Sequence, residues 1–516
     1  MAEELEQELR LHVAGGIATV NIGTTSVLIY EPIGKIGDRI YYIWTLDGKR
    51  GKSEIRIKGE KNERKEYYIE IEGRSYYFKG KPIDVDHDIL KEAIVLPDIS
   101  DINTWLSGSI KPLTNQEVYK LLQDYFSMFG EYEESYHSDI IAIYVLQTHL
   151  LPLLDVVFNL SIEGPYGSGK TAVLKLMRDV AYHGLLADSV SAPFRVRFTE
   201  YFNPSWFQDE LDATEKDDFG RAIIRTSYER GSYYGRWNVD TNQPELLAHF
   251  GPQAYTLVEE PDDPALSSRS LAKIVISKSR SFRVPVINSV RSKFARPIAT
   301  QLFFWRFEFL NNAFHNNEGL RDKVELKPEN LLNGKLNPDS VRREIYENLT
   351  ARFTPKEKAL LTKLLGRDNQ LAYVALKIAN LLGIDIVESL REAINIKLEE
   401  EKSHIEARFA YFINLLRIEI DKKRGTINTP DSRKVMLSQL TEGLATYCKE
   451  HNIKEPRTRT LSSWLIDLGF RSGKTKKHTR EGIALYLLDG IIERIESRLD
   501  YEEIRKEDIE QRTLEP

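Results

Sequence analysis

From about Leu9 to Tyr77 apolar and polar residues alternate with period two, in Val27 to Tyr30, Arg39 to Thr45, Ser53 to Ile57 and Tyr67 to Ile71. Turns rich in Gly, Asn or Asp separate these runs, and the pattern predicts a small antiparallel β domain over 1–85. Gly80 to about Trp105 reads as a linker, most of it in a segment of linker and helices over 86–139. Apolar spacing predicts helices over Asn115 to Phe129 and Ser138 to Leu151, then a strand over Val156 to Ile162. Short apolar runs alternate with helix-like stretches from Gly164 to about Ser279, the signature of an α/β nucleotide-binding core over 140–300. Asp339 to Lys397 is almost entirely helical in pattern, giving a helical region over 301–400. His404 to Leu488 reads as helices followed by a turn-rich basic hairpin, the body of a 401–490 domain that precedes a charged tail over 491–516.

The length of 516 residues suits several domains. Hydrophobic residues at 41% and charged residues at 29% suit a folded chain rather than a disordered one. Lys+Arg total 72 against Asp+Glu 78, so the net charge of −6 excludes a basic coat over the whole surface. With a single cysteine, Cys448, an internal disulfide is impossible, and no Cys/His cluster has the spacing of a zinc site. Met1 to Arg10 is charged and lacks the apolar stretch of a secretory signal, so a cytoplasmic protein is expected. The most apolar stretch, Ile140 to Leu160, carries Gln147, His149, Pro152, Asp155 and Asn159, which are costly in lipid. No membrane association is expected.

The decisive motif is Gly164-Pro-Tyr-Gly-Ser-Gly-Lys-Thr171, which satisfies G-x-x-x-x-G-K-[ST] between a predicted strand and a predicted amphipathic helix, Ala172 to Ala181. Gly164, Gly167, Ser168 and Gly169 would turn backbone N–H groups around phosphates, Lys170 would reach the β/γ oxygens, and the Thr171 hydroxyl would ligate Mg²⁺. Such a site also needs an acidic group at a neighbouring strand end. Asp209-Glu210-Leu-Asp212 follows a short apolar run 39 residues past Lys170, and Glu259-Glu260 follows a longer one 89 residues past it. Asp209 is favoured for the metal and Glu210 for the attacking water, with the second pair as the competitor. No guanine-reading Asn-Lys-x-Asp follows, which leaves ATP as the expected nucleotide.

Gly164 to Thr171, Asp209 to Asp212, Tyr228-Glu-Arg-Gly231, Phe250-Gly-Pro-Gln-Ala254 and Asp263 to Ser270 together resemble, in order, the ATPase modules of AAA+ and superfamily-3-like hexameric replicative helicases. The likeness is to those of plasmids, viruses and integrated elements, including helicase–primase proteins, and spans roughly Ile140 to Glu392. It implies a hexameric ring with ATP and Mg²⁺ between subunits. Arg269 would match the arginine finger that reaches a neighbour's γ-phosphate, and Arg367 the lid arginine that senses nucleotide. The position called sensor 1 falls on Thr256 or Glu259. Ser232 to Phe250 would match the β-hairpin pushed into the central channel, where Arg230 and Arg236 contact phosphates and Tyr233, Tyr234 and Trp237 stack on bases of a single strand. Its tip, Asp240 to Gln243, carries no lysine or arginine.

Pro456 to Phe470 reads as a helix with an apolar face of Leu461, Trp464, Leu465 and Leu468, followed by Arg471 to Arg480 and a strand over Ile483 to Leu488. Lys454, Arg457, Arg459, Arg471, Lys474, Lys476, Lys477 and Arg480 stand against Glu455 and Asp467, a local charge of +6 that leaves −12 for the rest. Helix, turn and basic hairpin resemble a winged helix, which implies duplex binding. The expected architecture is multidomain α/β: an AAA+-like P-loop core with a helical lid, an N-terminal β domain and a C-terminal winged-helix domain. The expected function is an ATP-driven, ring-forming DNA helicase. The alternatives are an AAA+ replication initiator or DNA-remodelling ATPase that does not unwind, and a DNA-binding regulator switched by ATP.

Overall fold

The computed structural model describes residues 10–13, 15–21, 25–36, 39–59, 65–81, 95–130, 132, 136–164, 167–187, 190–211, 218–238, 242–257, 266, 268–276, 288–315, 347, 349–364, 366–423, 434–451, 453, 455–456, 458–468, 470, 476–479, 482–486, 491 and 494–499. The fold is mixed α/β, with an antiparallel sheet, a parallel sheet and many helices. The chain divides into two units, one from Met1 to Leu390 apart from residues 262–264 and 363–365, the other essentially Arg391–Pro516.

In the first unit, β1 (Arg10–Leu11), β2 (Gly16–Asn21), β3 (Thr25–Ile36), β4 (Arg39–Leu46), β5 (Lys49–Lys58), β6 (Glu66–Ile71) and β7 (Arg74–Phe78) form one sheet in the order β1-β7-β6-β5-β4-β3-β2. All pairs are antiparallel except β1 with β7. The period-two pattern buries Leu28, Tyr30, Tyr42, Trp44, Ile69, Ile71 and Phe78 on one face, with Phe202 completing the cluster. The linker expected before Trp105 is in part a helix, Ile99–Leu106. Its Ile102 and Trp105 are spaced one turn apart and both are buried, and Trp105 stacks on Phe304 at 5.4 Å between ring centres. That burial overrides the polar, turn-like surroundings that suggested a linker.

The helix Asn115–Phe129 matches its expected span and opens with a capping box between Thr114 and Glu117. The next helix, His137–His149, is buried nearly all round. Gln147, one of its polar residues, is held by two 2.9 Å hydrogen bonds to the backbone of Phe158: Nε2 donates to the carbonyl and Oε1 accepts from the amide. A buried amide paired in this way costs little and fixes the chain just before β8 (Asn159–Glu163). That strand belongs to a five-stranded parallel sheet with β9 (Gly184–Leu186), β10 (Ser205–Gln208), β13 (Gln253–Thr256) and β14 (Ser270–Val275), in the order β14-β8-β13-β10-β9. Between them, β11 (Tyr233–Asn238) and β12 (Gln243–Ala248) pair as a separate antiparallel hairpin.

A 28-residue helix, Asn288–His315, packs on β3 and β4 of the first sheet and on the helix Lys170–Val180. Its Arg306 is bonded to Glu31 of β3, and both side chains are 1% exposed. Tyr182, just beyond the helix Lys170–Val180, donates to the same carboxylate at 2.9 Å, and the Arg306 guanidinium lies 4.2 Å from the centre of the Tyr182 ring. Arg306 Nε donates to the His149 carbonyl at 2.9 Å. Burial pushes the Glu31 carboxyl up to about 7 against the pull of Arg306, and pushes His149 and His183 down to about 3, so both rings are neutral. Helices Pro355–Lys363 and Gly366–Leu382 follow.

The second unit begins within the long helix Val387–Lys423 and continues with β15 (Lys434–Met436), the helices Leu437–Glu450 and Thr458–Asp467, and the strands β16 (Lys476–Thr479) and β17 (Gly482–Tyr486). Three strands pair in the order β15-β17-β16, and β15 had no signal in the sequence pattern. Leu461, Trp464, Leu465 and Leu468 are buried with Leu440, Leu444 and Cys448, so the apolar stripe of the expected helix is its core face.

The Glu31–Arg306 pair generates an asymmetric prediction. Glu31→Gln leaves a guanidinium that cannot neutralise itself, and should cost about 3–5 kcal/mol of stability at any pH between 5 and 8. Arg306→Met leaves a carboxyl that can take a proton. Its folded pKa then lies further above the unfolded value, so the variant keeps stability at pH 5 and loses it as pH rises to 8. Denaturant unfolding of both variants at the two pH values checks this.

Candidate nucleotide site

The carboxyl ends of β8, β10 and β13 lie side by side, because β13 pairs in parallel with both neighbours. β8 comes first in the chain yet sits between the last two strands of its sheet, β14 and β13. The connection after β8 runs toward β9 and the one after β13 runs the opposite way to β14, which opens a crevice at the carboxyl ends of β8 and β13, where ligands bind in open α/β sheets. Gly164 follows β8 directly, and Gly169 caps the helix Lys170–Val180 in the left-handed region at φ 104°. A Cβ on Gly164 would lie 2.4 Å from the Ile276 carbonyl oxygen, so the loop passes against β14 only because this residue has no side chain.

Lys170 is largely buried, and its Nζ donates to the Gly164 carbonyl at 2.6 Å across the loop. The Thr171 hydroxyl donates to Asp209 Oδ2 at 2.8 Å, and the Thr256 hydroxyl donates to Asp209 Oδ1. Thr256 also accepts from the Glu210 backbone N–H at 2.8 Å. Glu210 is exposed and holds a left-handed backbone at φ 47°, a strained conformation that this hydrogen bond to Thr256 helps fix. One carboxylate thus ties the helix after the glycine loop to the ends of β10 and β13. Hydroxyl and carboxylate oxygens are the ligands a Mg²⁺ ion takes, and a helix N-terminus preceded by glycines suits phosphates, so these residues fit a magnesium nucleotide.

Behind the strand ends lies a polar clamp that sequence inspection missed. The guanidinium of Arg195, on the helix Ala192–Phe202, donates to Gln208 Oε1 at 3.0 Å and to Gln253 Oε1 at 2.6 Å, and lies 4.8 Å from the centre of the Trp206 ring. It aligns β10 with β13 and so sets the distance between Asp209 and Thr256. Nothing marked Arg195 in the sequence, since a buried arginine reads like an exposed one until its partners are known. Thr256 was one of two options for its position; the other, Glu259, lies outside the described residues, as do Glu260 and Asp212.

The remaining predicted residues are not gathered here. Arg269 precedes β14, whose first residue, Ser270, is paired with Asn159 at the amino end of β8. Arg367 donates through Nη1 to the Ser268 hydroxyl at 2.6 Å. Both guanidinium groups lie over the Tyr228 ring, at 5.2 and 5.3 Å from its centre. Arg230 is tied to the carbonyls of Leu151 and Leu154 at 3.0–3.2 Å and lies over Phe250, so it is engaged inward rather than on the hairpin. Arg236 is paired across the hairpin with Glu245 at 2.5 Å. Tyr233, Trp237 and Leu246 are 58%, 60% and 67% exposed on the opposite face, while Tyr234 and Leu247 pack inward.

In the second unit, Lys476 and Lys477 lie on β16, opposite Leu485 and Ala484 of β17, and Arg459 lies on the helix Thr458–Asp467. Arg457, Arg471, Lys474 and Arg480 lie outside the described residues. Among the described residues no helix is long and apolar enough to cross a membrane.

No family model and no curated protein matches the sequence. Among solved structures, the chain is similar to the NrS-1 C-terminal region in its apo A form, at 11% identity and a TM-score of 0.27 over 64% of this chain and 88% of that one. It is also similar to Drosophila ORC bound to DNA, at 11% identity and a TM-score of 0.16 over 78% of this chain and 98% of that one.

Two glycines of the loop should respond differently to a methyl group. Gly164→Ala drives a Cβ into the Ile276 carbonyl and should cost about 3 kcal/mol. Gly167→Ala has open space, so only its φ of 77° resists and the cost should be about 1 kcal/mol. Chemical denaturation of the two variants measures the difference.

Proposed function

We propose that the protein is an ATP-driven, ring-forming DNA motor, a helicase of the replication machinery of a mobile element, that hydrolyses ATP with Mg²⁺ at the interfaces between subunits. The observation that carries this reading is the convergence of Lys170, Thr171, Asp209 and Thr256 at the carboxyl ends of β8, β10 and β13. Lys170 would neutralise charge on the β/γ oxygens, and bound Mg²⁺ would supply further neutralisation there. Thr171 and Asp209 would hold the ion, with Thr256 fixing the carboxylate. Glu210, exposed beside Asp209, would orient the attacking water, and Arg269 of an adjacent copy would stabilise charge in the transition state.

The exposed Tyr233 and Trp237 support contact with single-stranded bases, since aromatic faces stack on any base. The pairing of Arg236 with Glu245 makes this contact depend more on stacking than on charge. The three-stranded sheet and helix of the second unit, with lysines on β16, support a winged-helix duplex contact.

Lys170→Ala should reduce ATP hydrolysis and forked-duplex unwinding on the order of 10³-fold while leaving duplex binding within about twofold. Unwinding by that variant at the wild-type rate would rule the motor out. Hydrolysis by the wild type with no strand separation on any fork would favour a remodelling ATPase instead.

A further inference from the structure

An open cleft of about 840 Å³ lies in the first unit and shares no lining residue with the glycine loop, Asp209 or Thr256. Its walls are Arg50 of β5, the chain between the helices Ile99–Leu106 and Asn115–Phe129, the second half of the helix Asn288–His315, and Arg352. Sites that enclose small ligands span about 300–1,000 Å³, so the cleft has room for one.

Part of the lining is aromatic. Phe309 is half-buried and backs onto the buried Trp305 at 5.3 Å between ring centres, and Leu113 and Leu381 extend the apolar surface. Trp305 is itself fixed, because its Nε1 donates to Asn115 Oδ1 at 3.0 Å. That bond orients the Asn115 amide and leaves its Nδ2 to donate elsewhere. The rest of the lining is basic. Arg50 is paired with Glu308 at 3.2 Å, and Lys111 and Arg352 are exposed on the same cleft. Glu308 is the one acidic side chain among the described lining residues, so the lining carries a surplus of two positive charges. A guanidinium has five donors, so Arg352 can keep its own contacts and still meet an oxyanion.

We propose that this cleft binds a nucleotide, with the base against Phe309 and the phosphate on Lys111 and Arg352. A purely apolar ligand would leave the surplus charge unanswered, and a bare inorganic anion would leave the aromatic surface uncovered. A flat ring joined to an anionic group satisfies both. Glu308 as an acceptor and the Asn115 amide as a donor match the mixed edge of a base. A free nucleotide and one unit of a single strand offer this same chemistry. The site goes beyond the ATPase reading and does not depend on it.

The probe is a 2-aminopurine deoxynucleoside monophosphate, whose fluorescence falls when the base stacks. The full-length wild type should quench it saturably, and Lys170→Ala should do so with the same affinity, because the glycine loop is not the site. Phe309→Ala should weaken binding about tenfold, while Phe309→Tyr keeps the stacking face and stays within about twofold. Lys111→Glu, at an exposed position, should weaken binding about tenfold, with a smaller effect at high salt. The same base placed in a single-stranded oligonucleotide should show the same dependence on Phe309 and Lys111. Tighter binding of the oligonucleotide marks the strand as the source, and equal or weaker binding marks the free nucleotide. No saturable quenching of either probe, binding that Lys111→Glu leaves unchanged, or binding that is lost in Lys170→Ala would overturn the proposal. The ATPase reading stands or falls separately, on hydrolysis by the same Lys170→Ala protein.

Discussion

One carboxylate organises the carboxyl edge of the parallel sheet. Asp209 accepts from Thr171 on one oxygen and from Thr256 on the other, and so joins the helix after the glycine loop to the ends of two strands. Each hydroxyl is set by something else: Thr171 by the left-handed cap at Gly169, and Thr256 by its place between β8 and β10. The buried Arg195 clamp on Gln208 and Gln253 fixes those two strands from behind. A carboxylate held on both oxygens loses little orientational freedom, which is the pre-organisation that a metal-assisted reaction requires.

The same sheet presents different chemistry at its two edges. Glycines, a lysine, hydroxyls and carboxylates collect at the carboxyl edge, and two arginines collect on Tyr228 at the amino edge. The buried Glu31–Arg306 pair, with Tyr182, fastens the N-terminal sheet to the helix Asn288–His315 and to the segment that follows the helix Lys170–Val180, through a desolvated polar contact rather than a loose tether.

Much of this was legible in the chain. The glycine loop was readable from its spacing and its strand and helix neighbours, and Asp209 stood out as one of two acidic candidates at a strand end. The apolar stripe of Leu461, Trp464, Leu465 and Leu468 was readable because helix periodicity survives in an exposed-to-buried element. The helix Ile99–Leu106 was not, since two buried residues in eight give too weak a period until Phe304 is known to lie against Trp105. Arg195, Tyr228 and Glu31 carried no signal because their meaning lies in partners distant in sequence. The composition of the hairpin suggested basic contacts, but register opposes Arg236 to Glu245 and leaves Tyr233 and Trp237 outward.

The most direct measurement is magnesium-dependent ATP hydrolysis by the full chain, wild type beside Asp209→Asn, with and without single-stranded DNA. A wild-type rate that rises with the strand, and falls on the order of 10²-fold or more in Asp209→Asn at both conditions, is the predicted result. Hydrolysis by Asp209→Asn at the wild-type rate would contradict it.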